Sequence, residues 1–403
     1  MIKLTITEYF NPQMKITLFA HSFPPVIGGA QSWQYFLAKY LCELDHQVQV
    51  VTGDLPDGYI DQDFSSEKFS VVRIAGFREA SKLRVRLDKV IEDSYKAMSE
   101  FRPDIIHSHG YAPGLIISFI KDALSTKHIF SYHATPIPED GKLAGIFSDY
   151  ELEKSFTQYI LTRTDYEHFI ANSDYYFNSS INRGVPENKA SRIYYGIDLD
   201  MFNPNQQKSK TDWGFDAKDY VILCPIRLIE RKGIYDVLTA VSLLKHKEAK
   251  LFVPTSRLYT APHLEEDIIN SINKQGIADR VKIIFDKVSV FDMPKAYRMA
   301  DLTVLPSHVE GLGIVLLESL ASKTPVVATD APGINEIIKN EVTGITVPIK
   351  SPQRLAEKID WAIDNPDQMK KLTDQGYQFV SQNFNIKSQV NKVETVYKNV
   401  LSK

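Results

Sequence analysis

The sequence predicts an α/β protein of two domains, each built on a parallel β-sheet. The chain has 403 residues, which is more than one hydrophobic core usually organises. Short runs of β-branched and aromatic residues alternate with amphipathic helical stretches, as in βαβ units. This alternation occurs twice, on either side of a polar segment at 203–210 that is typical of an exposed connection between domains.

The apolar runs place the individual strands. Seven are predicted in the first half, near 15–22, 47–53, 69–75, 104–109, 128–133, 168–172 and 192–195. Six follow, near 220–226, 249–254, 281–286, 302–306, 325–329 and 344–348. We therefore expect a first domain over 1–200 and a second over 201–380. The remaining segment, 381–403, is expected to form a helix that crosses back to the first domain.

Composition excludes several classes of protein. Apolar residues make up 43% and charged residues 24% of the chain, which argues against a disordered or fibrous protein. The net charge of −3 provides no general attraction to nucleic acid, so none is expected as a partner. Cys42 and Cys224 are too few and too far apart for a disulfide framework or a zinc site. Without a long apolar run, the expected location is the cytoplasm, or at most the surface of a membrane.

A pair of glycines follows the first predicted strand. Gly28 and Gly29 precede a helix, and such a turn lets the backbone approach a ligand closely while the helix N-terminus favours an anion. An ordinary strand-to-helix turn is the alternative interpretation.

Two basic residues follow the first strand of the second domain. Arg227 and Lys232 are five positions apart on a loop, where they can approach a diphosphate from two sides and take the place of a metal ion. Ligands of open α/β sheets bind beyond the carboxyl ends of the strands, which is where this loop is predicted. A solvated basic loop is the alternative.

Two carboxylates lie around a glycine-rich turn further along the second domain. Glu310 comes directly after a strand, and Glu318 lies within a helix whose neighbours are almost all apolar. A buried carboxylate needs a polar partner, and a ribose diol is a suitable one. A salt bridge from Glu318 to a neighbouring helix is the alternative.

Histidines follow two strands of the first domain. His133 comes after one of them and can hydrogen-bond a sugar hydroxyl if the two domains close on each other, and His107 and His109 end another. A lone histidine in such a place is otherwise a satisfied core residue, which is the alternative for all three.

Taken together, these segments resemble the glycosyltransferases of family 4, which have the GT-B fold, from Met14 to nearly the end of the chain. A further set of matching segments supports the resemblance. It comprises Pro103–His109, Tyr195–Asp198, Pro325–Thr329, and Gly333 with Glu336. The resemblance implies two Rossmann-like domains that face each other across a central cleft, and a nucleotide sugar as the donor.

The family's functional residues carry over position by position. The resemblance implies that Arg227 and Lys232 bind the donor diphosphate and that Glu318 binds the ribose. Glu310, with the amides that follow it, would hold the transferred sugar, and His133 would bond one of its hydroxyls. The expected catalytic residues are His133, Arg227, Lys232 and Glu310. The expected donor site is Gly28, Gly29, Arg227, Lys232, Glu310, Gly311, Leu312, Gly313, Ile314 and Glu318.

The activity implied is retaining transfer of a hexose from a UDP- or GDP-linked donor to a lipid-linked or saccharide acceptor, in glycolipid or cell-surface polysaccharide synthesis. Neither a metal ion nor a cofactor is expected, since the pair Asp198 and Asp200 lies away from the phosphate site. Two alternatives stay open. One is an inactive subunit of the same fold that binds a partner protein, and the other is a nucleotide-sugar epimerase or hydrolase.

The acceptor side carries a weaker signal. A predicted surface helix in the first domain starts with interleaved basic residues, Lys82, Arg84 and Arg86, and His109 is a further candidate. These residues are expected near the acceptor opening, where the basic ones would meet an anionic lipid surface or a phosphate-bearing acceptor. A solvated helix face is the alternative.

Overall fold

The computed structural model describes residues 13–26, 28–80, 87–133, 158–159, 161–162, 165–256, 262–285 and 288–403. Within these residues the predicted α/β architecture is confirmed, because every strand belongs to one of two parallel sheets.

The first sheet has seven strands in the order β3-β2-β1-β4-β5-β6-β7. They are β1 Lys15–Ala20, β2 Gln47–Gly53, β3 Ser70–Ile74, β4 Ile105–His109, β5 Lys127–Ser131, β6 His168–Ala171 and β7 Ala190–Arg192. Their helices are α1 Gly29–Glu43, α2 Phe77–Ala80, α3 Leu87–Phe101, α4 Tyr111–Leu124 and α5 Asp174–Asn182.

Helices cover both faces of the first sheet. The alternation of side chains along each strand decides on which face a residue packs. Adjacent strand residues point to opposite faces, so Leu18 packs in a cluster with Leu37 of α1. Phe19 packs in a separate cluster with Met98 of α3 and Ile117 of α4. Such strands are buried on both faces, which is why they read as continuous apolar runs.

The second sheet has six strands in the order β10-β9-β8-β11-β12-β13. They are β8 Tyr220–Leu223, β9 Ala249–Thr255, β10 Val281–Phe285, β11 Leu302–Leu305, β12 Val326–Thr329 and β13 Ile345–Val347. The helices of this part are α6 Ile234–Leu243, α7 Pro262–Lys274, α8 Met293–Met299, α9 Ile314–Ala321, α10 Pro352–Asp364, α11 Pro366–Asn383 and α12 Ile386–Leu401.

The last helix, α12, lies against the first domain. The backbone amide of Ile386 donates to the carbonyl of Ile197 at 3.0 Å. The hydroxyl of Tyr397 lies 2.7 Å from Nδ1 of His107 in β4, and Glu394 lies 3.0 Å from Nε2 of His46. These side chains are buried, so α12 contributes to the interior of the first domain, which precedes it by almost 200 residues in the sequence.

One strand differs from its predicted position. β7 ends at Arg192, whereas the sequence predicts a strand over 192–195. Tyr194 and Tyr195 leave the ladder because their rings have partners elsewhere. Tyr194 packs against Phe384, and Tyr195 stacks on Trp33 of α1.

Candidate functional site

The loop after β8 holds Lys232 against the end of β11. Residues Glu230–Lys232 form a single 3₁₀ turn, and Gly233 follows with φ of +73°. A Cβ at Gly233 would lie 2.1 Å from the carbonyl oxygen of Pro306, so only glycine fits this close approach. Gly233 thus places the preceding Lys232 at the carboxyl edge of the sheet.

Lys232 forms an ion pair with Glu310. Its ammonium bonds Oε1 of Glu310, and both side chains are about nine-tenths buried. The hydroxyl of Ser307 donates to the same carboxylate oxygen at 2.7 Å. Although burial opposes it, the charge of Lys232 and the hydrogen bonds from Lys232 and Ser307 hold the pKa of Glu310 below its ordinary value. Glu310 is therefore a charged carboxylate at neutral pH.

Two further positive charges lie near Lys232. Burial, together with the neighbouring charges of Arg231 and Arg227, lowers the pKa of Lys232 to about 8, although the interaction with Glu310 opposes this shift. Arg227 thus lies near the ammonium, as an anion site of two cations requires. Cationic side chains grouped at the carboxyl edge of a parallel sheet favour an anionic ligand in this place.

Glu318 is buried in the second turn of α9, with 6% of its surface exposed. The hydroxyl of Tyr297 donates to its Oε2 at 2.6 Å, so the alternative of a salt bridge is wrong for the described residues, and the partner is a neutral phenol. Burial raises the pKa of Glu318 to about 7. Such a carboxyl accepts hydrogen bonds from a diol without a competing cation.

The first domain contacts the turn of residues 310–314, which precedes α9, at two glycines. A Cβ at Gly29, the first residue of α1, would lie 2.6 Å from Cγ2 of Ile314, the first residue of α9. A Cβ at Gly311 would lie 2.5 Å from the ring of Tyr176 in α5. The structure therefore brings Gly28 and Gly29 together with the turn formed by Glu310, Gly311, Leu312, Gly313 and Ile314.

His107, His109 and His133 of the first domain form a cluster. Nε2 of His133 lies 2.7 Å from Nδ1 of His109, and Nδ1 of His133 lies 2.5 Å from the hydroxyl of Tyr195. His109 is 1% exposed, whereas His133 is partly exposed. His109, predicted on the acceptor side, is therefore interior, and burial lowers its pKa well below the ordinary value. His107 is likewise a bonded core residue, as its alternative interpretation stated.

Three of the predicted acceptor-side residues, Lys82, Arg84 and Arg86, lie outside the described residues. Within the described part of the chain, no group of three or more histidine, cysteine or acidic side chains has the arrangement of a metal site. Over the same residues, no helix combines the length and apolarity that a membrane crossing requires.

Two family models match the chain in succession. Glycosyltransferase Family 4 matches residues 27–201, and Glycosyl transferases group 1 matches residues 205–379. Their boundary falls in the polar connection between the two sheets. The chain belongs to the GT-B glycosyltransferases of family 4. The resemblance found in its motifs is thereby confirmed, and so are the two Rossmann-like halves.

Individual relatives agree with this assignment. The uncharacterized glycosyltransferase MJ1607 of Methanocaldococcus jannaschii is 26% identical over 360 residues, which cover 87% of this chain and 88% of that protein. The sucrose-phosphate synthase of Thermosynechococcus elongatus has a similar fold, with a TM-score of 0.84 at 19% identity, covering 97% of this chain and all of that one. HepE of Anabaena in complex with UDP-glucose has a TM-score of 0.80 at 19% identity, covering 96% and 100%.

Sequence reasoning missed several residues that complete the site. Tyr297 and Ser307 bond the two carboxylates, and Tyr195 bonds His133. Ser307 precedes Glu310 by three positions, a local signal that was available. Tyr297 is 21 positions from its partner and Tyr195 is 62 positions from its own, so no local spacing indicates either pair.

Proposed function

We propose that this glycosyltransferase is a hexosyltransferase that uses a UDP- or GDP-linked sugar, retains the anomeric configuration and needs no divalent cation. The observation that carries the proposal is the buried ion pair of Lys232 and Glu310 beside Arg227, next to the contact between Gly29 and Ile314. It combines an anion site and a charged acceptor of hydroxyl hydrogen bonds in one place.

Each side chain has a role that its environment suits. Arg227 and Lys232 bind the diphosphate, with Lys232 exchanging part of its interaction with Glu310 for a phosphate oxygen. Glu310 and the amides of the turn before α9 hold the hydroxyls of the sugar, and His133 bonds a further hydroxyl. Glu318, which is held in place by Tyr297, accepts the ribose hydroxyls.

In the reaction, the bond from the anomeric carbon to the diphosphate oxygen breaks. The oxygen of the acceptor hydroxyl bonds to the same carbon on the face from which the diphosphate leaves, and the hydroxyl proton passes to the departing phosphate. Arg227 and Lys232 stabilise the negative charge that develops on the leaving group, which is the kind of electrostatic effect that contributes most to many enzymes. Retention follows because attack and departure share one face.

The donor class has independent support. HepE of Anabaena, which shares the fold, was crystallised with UDP-glucose. For this chain we propose UDP or GDP as the nucleotide, and a lipid-linked or saccharide acceptor in glycolipid or cell-surface polysaccharide synthesis. A peripheral contact with an anionic membrane surface in the cytoplasm fits such an acceptor.

The test begins with thermal unfolding in the presence of UDP, GDP or ADP, because a ligand that binds only the folded state raises the unfolding temperature. The stabilising nucleotide then defines the sugar donors to be assayed for transfer. NMR of the product gives its anomeric configuration, and activity is compared with and without excess EDTA.

We expect stabilisation by UDP or GDP, a retained anomer and activity in EDTA. Stabilisation by none of the three nucleotides would instead favour the inactive, partner-binding alternative. Release of free sugar or an epimerised donor, with every acceptor class failing, would favour the hydrolase or epimerase. Activity that is lost in EDTA and restored by Mg²⁺ or Mn²⁺ would contradict metal independence.

A further inference from the structure

The position of Lys232 depends on two segments that meet at the carboxyl edge of the second sheet. One is the turn of residues 230–233, and the other is residues 306–310, which follow β11. The backbone N–H of His308 donates to the carbonyl of Arg231 at 2.9 Å. His308 therefore connects the end of β11 to the backbone of the turn directly before Lys232.

The side chain of His308 makes a second contact with the same region. Its Nε2 lies 2.7 Å from Oδ2 of Asp236, a residue of the first turn of α6, which begins directly after Gly233. A carboxylate only accepts hydrogen bonds, so Nε2 carries a proton and donates it. His308 thereby bonds the chain on both sides of Lys232, at Arg231 before it and at Asp236 after it.

The pair of His308 and Asp236 lies within reach of water. The side chain of His308 is 22% exposed and that of Asp236 is 21% exposed. Among the described residues, the bond to Asp236 is the one hydrogen bond that the imidazole makes. Water can solvate either group when the other is replaced, so a substitution here removes the contact without leaving an unpaired buried charge. Variants of His308 are therefore expected to fold.

Resting on the proposed function, we propose that His308 is a positioning residue, which together with Asp236 fixes the turn so that Lys232 meets the diphosphate of the donor. Lys232 exchanges part of its interaction with Glu310 for a phosphate oxygen when the donor binds. The turn therefore needs an attachment that does not involve the ammonium, and His308 provides one on each side. Displacement of a group that contacts the leaving diphosphate would be costly to the reaction.

Two substitutions of His308 separate its hydrogen bond from the packing of its ring. His308→Gln places an amide N–H close to the position of Nε2 and can still donate to Asp236, whereas His308→Phe keeps a ring but has no donor. His246, three residues beyond the other end of α6, offers a matched control. Its Nε2 lies 3.0 Å from Oδ1 of Asp364, and its side chain is 25% exposed. His246→Phe thus removes a similar pair at the opposite end of the same helix.

The first measurement is hydrogen exchange of the backbone amide of Lys232 in the full chain without ligand. This amide donates to the carbonyl of Ile229 at 2.9 Å, so its exchange reports local opening of the turn. We expect exchange to be roughly fivefold to tenfold faster in His308→Phe than in wild type, as for the loss of one hydrogen bond. His308→Gln should restore most of the protection, and His246→Phe should exchange at the wild-type rate.

The second measurement is calorimetric binding of UDP and GDP. For the nucleotide that wild type binds, we expect affinity to fall roughly fivefold to tenfold in His308→Phe, to recover mostly in His308→Gln, and to stay unchanged in His246→Phe. In a Lys232→Met background, His308→Phe should cause no further loss. A positioning residue acts through the side chain that it positions, so the two substitutions are not additive.

An unchanged exchange rate in His308→Phe would overturn the proposal, and so would an unchanged affinity for a nucleotide that wild type binds. A loss in His308→Gln as large as in His308→Phe would contradict the role of the hydrogen bond. A further loss in the Lys232→Met background would show that His308 does not act through Lys232. If His308→Phe does not fold, Asp236→Ala is measured in the same way.

The two measurements distinguish this proposal from the proposed function. Hydrogen exchange is read without ligand, whereas the proposed function requires that wild type bind UDP or GDP. If wild type binds neither nucleotide and the exchange rates are as expected, the proposed function is refuted. The role of His308 in fixing the turn then stands, and its role in donor binding is refuted with the function.

Discussion

Glu336 accepts the backbone N–H of Asp174 at 2.8 Å, and the two residues belong to different domains. The second carboxylate oxygen accepts the N–H of Tyr175 at 3.0 Å. A carboxylate of the second domain therefore occupies the N-terminus of α5 in the first, where the helix dipole and free amides favour negative charge. Tyr176, whose ring lies against Gly311, is the next residue of α5, so the contact holds the turn of residues 310–314 against the first domain.

Replacing Glu336 by alanine should loosen this contact. Two amides lose their acceptor, which costs about 1–2 kcal/mol at a helix N-terminus. We expect a larger radius of gyration by X-ray scattering and a KM for the donor raised several-fold, with kcat less affected. Asp367→Ala, which removes an exposed carboxylate from the start of α11, is the control. Equal radii and equal KM values for both variants would show that the contact has no role in domain closure.

A second prediction concerns the contact between Gly29 and Ile314. Gly29→Ala places a methyl group 2.6 Å from Cγ2 of Ile314, so the Ile314 side chain or the contact between the two domains must shift. We expect the variant to fold and to lose about tenfold in kcat/KM, because misplacement of reacting groups by a fraction of an ångström is costly. Adding Ile314→Ala should restore most of the activity. If the double variant is as slow as Gly29→Ala, the defect has another origin.

Variants of the ion pair between Lys232 and Glu310 should affect stability and nucleotide binding differently. Lys232→Met leaves the Glu310 charge buried without its partner and should lower the free energy of unfolding by about 3–5 kcal/mol. The double variant Lys232→Met/Glu310→Gln should recover most of this loss, since no buried charge remains. Both should bind UDP or GDP at least tenfold more weakly, because a charge-assisted contact contributes about 1.5–3 kcal/mol.

Calorimetry and urea unfolding measure the two effects separately. Lys245→Met removes an exposed lysine of the same domain and should change neither quantity. Arg227→Ala should reduce nucleotide affinity by a similar factor. Unaltered affinity in both Arg227→Ala and the double variant would contradict the assignment of this loop to the diphosphate.

Glu318 should make stability depend on pH. Its folded-state pKa of about 7 lies above the ordinary value of 4.5, so its contribution to stability is complete below about pH 4.5 and is lost as the pH rises through 7. Glu318→Gln, which is neutral, lacks this loss. Without nucleotide, the variant should therefore gain about 3 kcal/mol relative to wild type between pH 4.5 and pH 8. Urea unfolding at the two pH values measures the difference.

At pH 8 the same variant should bind nucleotide more weakly despite its greater stability, and Glu318→Ala should bind it more weakly still. Gain of stability with loss of binding is the mark of a group kept for a ligand rather than for the fold. A variant that is destabilised at pH 8 and binds normally would assign Glu318 a structural role instead.

The two sheets were predictable because their central strands, such as β1, β4 and β11, are buried on both faces and so appear as apolar runs between helical periods. The strand at 190–192 was displaced in the prediction because Tyr194 and Tyr195 look like strand residues, although their partners, Phe384 and Trp33, lie on distant helices. Local pattern carries no information about such pairs.

The candidate site, too, was predictable only in part. Arg227, Lys232 and Glu310 were predictable as candidates because each follows the end of a strand, and Glu318 was predictable because it is a lone carboxylate in an apolar helix. The residues that form hydrogen bonds or ion pairs with these candidates were not predictable, apart from Ser307. The pairing of Lys232 with Glu310 spans 78 positions and depends on the tight approach of Gly233 to Pro306, which only the folded chain reveals.

The position of α12 affects the order in which the chain can fold during synthesis. His107 and Tyr397 are 290 positions apart, and both are fully buried. When the ribosome has completed the first sheet, the surface that will receive Tyr397 is still bare, because α12 follows that sheet by almost 200 residues in the chain. The first domain is thus completed only after the second has been made, and its exposed apolar surface is open to chaperones or to aggregation until α12 has been synthesised.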